Sequence, residues 1–283
     1  MIIVPGSASR KLAESLAKKI DASIAHIEQQ RFPDSECYLR IHTDLHGEDV
    51  VLVQTAFPDE NIIELYLLQH AIRDFKPAKL TTVIPYLGYA RQDKKFNPGE
   101  ALSAQAIIEL VQKLSDAVIT VDVHSKSILE WFDVHVEEVS GMPPLGSYLR
   151  EMKTPPEIVI APDEGAKERA AAVAKTIGCE YDYLQKHRLS GEKVEIKPKE
   201  LDVSGRTVAI VDDIISTGGT IIEATKQLKK NGAERVYAAC THGIYAKNAL
   251  PRLQDVCDTI ISTDTVERET SVVSVANEIA KKL

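Results

Sequence analysis

Short, wholly apolar runs alternate along the chain with stretches in which apolar residues recur every three to four positions. The runs read as buried strands and the periodic stretches as amphipathic helices. "MIIV" opens as a strand, and Ser7 or Ser9 can cap a helix ending near Ile20. "DVVLVQTA", "KLTTVIPYLG" and "DAVITVDVH" are further strands, separated by the helical patterns "DENIIELYLLQHAIRDF" and "LSAQAIIELVQKL", the latter with Ser103 as its expected cap. The rhythm restarts after about residue 141. "PLGSYLREM" reads as a helix, "TPPE" as a Pro-rich break suited to a domain junction, "EIVIAP" as a strand, and "GAKERAAAVAKTI" as a helix stopped by Gly178. "EYDYLQ", "RTVAIVDD", "RVYAACTH" and "DTIISTD" are strands, and "GTIIEATKQLKKNG" is a helix stopped at Asn231-Gly232.

Strands that are apolar throughout, alternating with helices, predict an α/β fold of largely parallel sheets covered by helices on both faces. The 283 residues divide naturally into two domains, placed at 1–150 and 151–283, with the last helix, about 271–283, able to pack back on the first domain. In open parallel sheets, ligands bind beyond the carboxyl ends of the strands. Polar residues gather there: Tyr86 to Asp93, His124-Ser125, Asp163-Glu164-Gly165, Asp212-Asp213 and Thr241-His242.

A net charge of −8 argues against a broad basic nucleic-acid-binding face, while leaving room for a local polyanion site. None of the four cysteines forms a C-x-x-C pair, so they read as small core residues in a reducing compartment. The start of the chain lacks a secretory leader pattern, and no apolar stretch is long enough to span a membrane, so the expected location is the cytoplasm.

The densest chemistry lies in "VAIVDDIISTGGTII", Val208 to Ile222. Ser216, Thr217, Gly218, Gly219 and Thr220 form a loop of small residues before a helix, where unpaired backbone N–H groups and the helix dipole favour an anion. Asp212 and Asp213 repel that anion but accept from hydroxyls. Carboxylates beside a phosphate cradle suit a sugar phosphate of the pentose 5-phosphate kind. No Walker A pattern occurs. "YARQDKK" carries Arg91, Lys94 and Lys95, which suit either a polyphosphate or a plain solvated loop. Phe32, Asp34 and Glu36 read most simply as a hairpin turn. His42, Asp44 and His46 of "HTDLH" would share one face of a strand, as metal ligands do, although the polar "HGED" beside them favours an ordinary turn.

"VDDIISTGGT" resembles the phosphoribosyl-pyrophosphate loop shared by phosphoribosyltransferases and ribose-phosphate pyrophosphokinases. "FPDSE", "PYLGYARQDKK", "GEALSA", "TVDVHS", "APDEGA", "KHR", "THG" and "TDT" resemble segments of the second family in its own order, over nearly the whole chain. The resemblance implies two phosphoribosyltransferase-like domains, each a largely parallel sheet flanked by helices. It also implies transfer of a diphosphoryl group from ATP to ribose 5-phosphate with magnesium (Mg2+) as cofactor. By resemblance, Lys186 and Arg188 are catalytic, and Asp212, Asp213 and Ser216 to Thr220 bind ribose 5-phosphate. Phe32, Asp34, Glu36, Arg91 and Gln92 bind ATP, and His124 and Asp163 meet the metal. The hairpin around Phe32–Glu36 is implied to complete a neighbouring subunit's ATP site, so the chain is expected to be at least a dimer, with no nucleic-acid or membrane partner. Ser35, Gln185, Ser216 and Ala101-Leu102 depart from the family's usual residues. A phosphoribosyltransferase that consumes the activated sugar, a non-catalytic associated protein and an RNA-binding regulator built on the same loop stand as alternatives.

Overall fold

The computed structural model describes the backbone of residues 1–188, 194–198 and 201–283, and the side chains of 1–185 and 201–283. The chain forms two compact units. One comprises Met1–Ser140, Thr265–Glu267 and Ser274–Leu283, and the other Gly141–Asp264 and Arg268–Val273.

The first unit contains β1 (Ile2–Pro5), α1 (Arg10–Ile20), β2 (Ser23–Ile24), the paired strands β3 (Ile27–Arg31) and β4 (Cys37–Ile41), β5 (Asp49–Val53), α2 (Asp59–Asp74), β6 (Lys79–Ile84), α3 (Ser103–Gln112), β7 (Ala117–Val121) and β8 (His135–Val139). Six strands make a wholly parallel sheet in the order β2-β1-β5-β6-β7-β8. Successive strand side chains point to opposite faces, and both faces are covered. Val50, Leu52, Leu80, Ile84 and Val118 pack with Leu65, Leu68 and Ile72 of α2 and Ile108 and Val111 of α3. Ile3, Val51, Val53, Val83 and Ile119 pack with Leu12 and Leu16 of α1 and with Ile279 from the chain's last helix.

The second unit contains α4 (Met142–Glu151), β9 (Ile158–Ala161), α5 (Lys167–Ile177), β10 (Glu180–Arg188), β11 (Val194–Pro198), β12 (Thr207–Ile215), α6 (Gly219–Lys230), β13 (Arg235–Gly243), α7 (Ala249–Gln254), β14 (Thr259–Thr263) and β15 (Ser271–Val273); α8 (Ala276–Ala280) belongs to the first. Its sheet runs β11-β10-β9-β12-β13-β14-β15 and is parallel except for the β10–β11 pair. Ile158, Ile160, Val208, Ile210 and Val236 face Ile221 and Leu228 of α6, while Val159, Ala209, Val211 and Ala239 face Leu145 and Leu149 of α4 and Ala170 and Val173 of α5. Because α4 buries its apolar stripe with α5, it belongs to the second unit, and the Pro-rich stretch Thr154–Glu157 lies within that unit rather than between the two.

Three local expectations change. Ser9 holds the N-cap position of the first helix, but neither its side chain nor that of Ser7 bonds the helix backbone. The Ser9 hydroxyl accepts from the Thr55 N–H at 2.9 Å, and Ser7 Oγ donates to the buried Glu64 at 2.6 Å. Ser103 is the first residue of α3 rather than its cap, and its hydroxyl donates to Gln92 Oε1 at 3.0 Å. In each case a tertiary acceptor or donor outcompetes the local backbone for the hydroxyl. The third concerns β12, which does not end with the aspartates of "RTVAIVDD". Its pairing with β13 continues through Ile214↔His242 and Ile215↔Gly243, so the strand runs two residues past the acidic pair.

Candidate functional site

The chain reverses direction across the second sheet between β9 and β12: β10 lies to one side of β9, and β13 follows on the far side of β12. At such a switch point the loops leaving two adjacent strands diverge and open a crevice. Asp163 follows β9, and Asp212 and Asp213 lie on β12, so carboxylates gather toward the carboxyl ends of the two strands that flank the switch point.

Asp213 is buried and Asp212 half-buried. The Asp213 N–H donates to Asp212 Oδ1 at 2.9 Å, which fixes the first carboxylate against the backbone of the second. Arg169, in the first turn of α5, reaches both. Nη2 lies 3.2 Å from Asp213 Oδ2, and Nη1 lies 3.9 Å from Asp212 Oδ1. Burial pushes the Asp212 carboxyl well above the ordinary carboxylate range, the adjoining Asp213 carboxylate adds to the shift, and Arg169 opposes it.

The sign of the consequence follows from linkage. Folding raises this carboxyl above its unfolded value of 3.8. As pH climbs past that value the unfolded chain releases its proton first, while the folded chain keeps it. The contribution of Asp212 to stability is therefore most favourable at low pH and is lost as pH rises from 3.8 through the raised value. Asp212→Asn removes the titration, so its Tm should rise relative to the parent across that window. Calorimetry in a pH series checks this, and a constant difference in Tm contradicts it.

Beyond the pair, Gly218 stands at φ +72 in the N-cap position of α6, with no side chain capping the helix. Gly218 is buried, Ser216 half-buried, and Thr217, Gly219 and Thr220 exposed. The first-turn N–H groups of a twelve-residue helix thus lie at the carboxyl end of the strand that bears the two aspartates. Acceptors for hydroxyls and donors for an anion sit within one strand-loop-helix segment.

The first unit places its expected residues in the same way. Arg91 and Gln92 follow β6; Arg91 is exposed, and Gln92 is half-buried and held by Ser103. His124 follows β7 and is exposed. Asp163, in the second unit, is also exposed, and its Oδ1 accepts from Ala166 N at 3.2 Å. No group of three or more His, Cys, Asp or Glu side chains suited to a metal occurs among the described residues. The turn joining β3 to β4 exposes Phe32, which meets Tyr38 edge-on at 5.8 Å, while Asp34 Oδ1 accepts from Glu36 N at 3.1 Å.

A family model described as the N-terminal domain of ribose phosphate pyrophosphokinase matches residues 1–114, and one described as the phosphoribosyl transferase domain matches 145–277. A ribose-phosphate pyrophosphokinase of Methanopyrus kandleri is 45% identical over 99% of this chain and 98% of its own length. The chain belongs to the ribose-phosphate pyrophosphokinase family. A Methanosarcina mazei relative with the same description is 43% identical over 99% of this chain and 94% of its own. A crystal structure of the phosphoribosylpyrophosphate synthetase from Mycobacterium smegmatis superposes with a TM-score of 0.84 at 27% identity, covering 99% of this chain and 96% of that one.

The structure clarifies two sequence details. Ser35 stands at φ +74, so the left-handed turn accounts for a preference for Gly there. The "HTDLH" stretch lies beyond β4 rather than on a strand and gathers no ligand set. His42 stacks on His26 at 4.8 Å and meets Glu28 at 3.3 Å, the Asp44 carboxylate accepts from His46 N, and His46 Nδ1 lies 3.1 Å from the Phe75 carbonyl oxygen. The side chains of Lys186 and Arg188 lie outside the described residues; their backbone belongs to β10, which pairs antiparallel with β11. Arg169 went unnoticed in the sequence, where it is one charge among the Lys, Glu and Arg that open a surface helix.

Proposed function

We propose that the chain transfers the β,γ-diphosphoryl group of ATP to the anomeric hydroxyl of ribose 5-phosphate, giving 5-phosphoribosyl 1-pyrophosphate and AMP. The observation that carries this reading is the full-length similarity to relatives described as ribose-phosphate pyrophosphokinases, and the acidic pair on β12 with the uncapped start of α6 beyond it supplies a seat for the sugar phosphate. Asp212 and Asp213 accept from ring hydroxyls, and Ser216 to Thr220 donate to the 5-phosphate. This anchors both ends of the sugar and leaves its anomeric carbon to face the donor nucleotide.

The anomeric oxygen attacks the β-phosphorus. The bond from that phosphorus to the oxygen bridging it to the α-phosphate breaks, AMP departs, and the anomeric proton passes to solvent. Positioning and charge neutralisation supply most of the catalysis in transfers of this type. The exposed ring of Phe32 offers a stacking face for the base, with Asp34 and Glu36 beside it as acceptors. Arg91 and Gln92 bind the nucleotide, and Lys186 and Arg188 stabilise charge on the transferred phosphates. His124 and Asp163 are each exposed, and few protein ligands suit a cation that keeps most of its waters and phosphate oxygens, as magnesium does. Bound magnesium would neutralise the polyphosphate and polarise the β-phosphorus. The turn at Phe32 serves the ATP site of a neighbouring copy, so light scattering should give at least a dimer; a monomer mass contradicts this.

Incubation with ATP, magnesium and ribose 5-phosphate tests the assignment. AMP and the pyrophosphorylated sugar should appear in equal amounts, and only when the sugar phosphate is present. Intact ATP, together with consumption of the pyrophosphorylated sugar when a nucleobase is supplied, contradicts it and favours a phosphoribosyltransferase.

A further inference from the structure

We infer that Arg169 is a positioning residue for sugar recognition, its guanidinium spanning Asp212 and Asp213 so that both carboxylates are held to receive ribose hydroxyls. The inference rests on the sugar-binding role proposed for the pair.

Two adjacent carboxylates that are largely shielded from water repel each other, and their cheapest relief is to share a proton. A shared proton also draws the two groups together, which spoils a site that must meet neighbouring hydroxyls at a fixed spacing. While the Asp212 carboxyl, raised in pKa, remains able to keep a proton, Arg169 holds that spacing. Its planar fork presents two nitrogens at once, 3.2 Å from Asp213 Oδ2 and 3.9 Å from Asp212 Oδ1. The Asp213 side chain is only 3% exposed and has little water to balance its charge, whereas the Arg169 side chain keeps 23% exposure.

Helix formation does not explain this cation. Arg169 is the third residue of α5, where the helix dipole disfavours positive charge. The same short segment begins with Asp163, tied to the Ala166 N–H at 3.2 Å. The turn that presents the proposed metal contact therefore also delivers the clamp on the sugar carboxylates.

Steady-state kinetics on the full-length protein, with thermal melts of each variant, test the inference. Arg169→Gln should raise the KM for ribose 5-phosphate by about 10- to 100-fold, the range for losing a charge-assisted hydrogen bond. Its KM for ATP and its kcat should stay within about threefold, because ribose is displaced while phosphoryl chemistry is intact. Arg169→Lys keeps the charge but contacts only one carboxylate, and should raise the KM for ribose 5-phosphate by about 3- to 10-fold with kcat retained. Should the glutamine variant fail to fold, the lysine variant decides alone: an unchanged KM for ribose 5-phosphate overturns the inference. A loss spread equally over both substrates and kcat also overturns it, since that marks a merely structural ion pair. Asp213→Asn separates this inference from the reading beneath it. If Asp213→Asn raises the sugar KM and Arg169→Gln does not, the clamp is wrong. If neither does, the sugar-binding role of the pair is wrong.

Discussion

Lys186→Ala lowers kcat by about 10²- to 10³-fold, the usual cost of removing one fixed donor aimed at developing negative charge. Binding of ribose 5-phosphate, measured by calorimetry without nucleotide, should stay within about twofold, because the sugar site proposed above lies on β12 and α6. The split matters more than the size of the loss. A group that meets the phosphates only as charge moves onto the bridging oxygen contributes to the transition state and hardly to the ground state. The same substitution should leave the melting temperature nearly unchanged. If turnover persists at the parent rate, Lys186 has no part in the mechanism. If kcat and sugar affinity fall together, it belongs to the sugar site.

Gly218→Val removes productive binding of ribose 5-phosphate, raising its KM by about 100-fold or more. Two constraints meet at this residue. Its φ of +72 is a conformation that a β-branched residue adopts only under strain, and an added Cβ would lie 3.1 Å from Leu253 Cδ1 and 3.2 Å from Leu253 Cγ. The backbone must shift to relieve both, and the N–H groups at the start of α6 shift with it. Stability should fall as well, by about 1–3 kcal/mol, as expected for overpacking. Gly219 provides the contrast, because a Cβ there meets nothing within 4 Å and its φ is unremarkable. Gly219→Ala should keep the parental Tm to within about 2 °C. Parental sugar kinetics in Gly218→Val would mean that the phosphate is not bound by this turn.

The parallel sheets and the polar residues at their carboxyl ends were legible in the sequence because both are written locally. A strand buried on two faces, such as Val208 to Val211, is apolar throughout, and its polar continuation stands out. The features that were not legible depend on partners distant in the chain. The length of β12 is set by β13, which goes on pairing past the aspartates to Gly243. Ser9 and Ser103 carry ordinary capping side chains, but Thr55 and Gln92 claim their hydroxyls. Arg169 becomes informative only when α5 is laid against β12. The three residues of "HTDLH" have ligand chemistry and spacing, but the chain leaves the strand at Ile41, so their shared face never forms.

The central claim is that a diphosphoryl group moves from ATP to the sugar, and label at the β-phosphorus of ATP follows that group directly. With magnesium and ribose 5-phosphate present, β-labelled ATP should place its label in the pyrophosphorylated sugar, while α-labelled ATP leaves its label in AMP. Label from the β-position recovered in ADP, or remaining in unreacted ATP while the sugar phosphate is present in excess, would contradict the account.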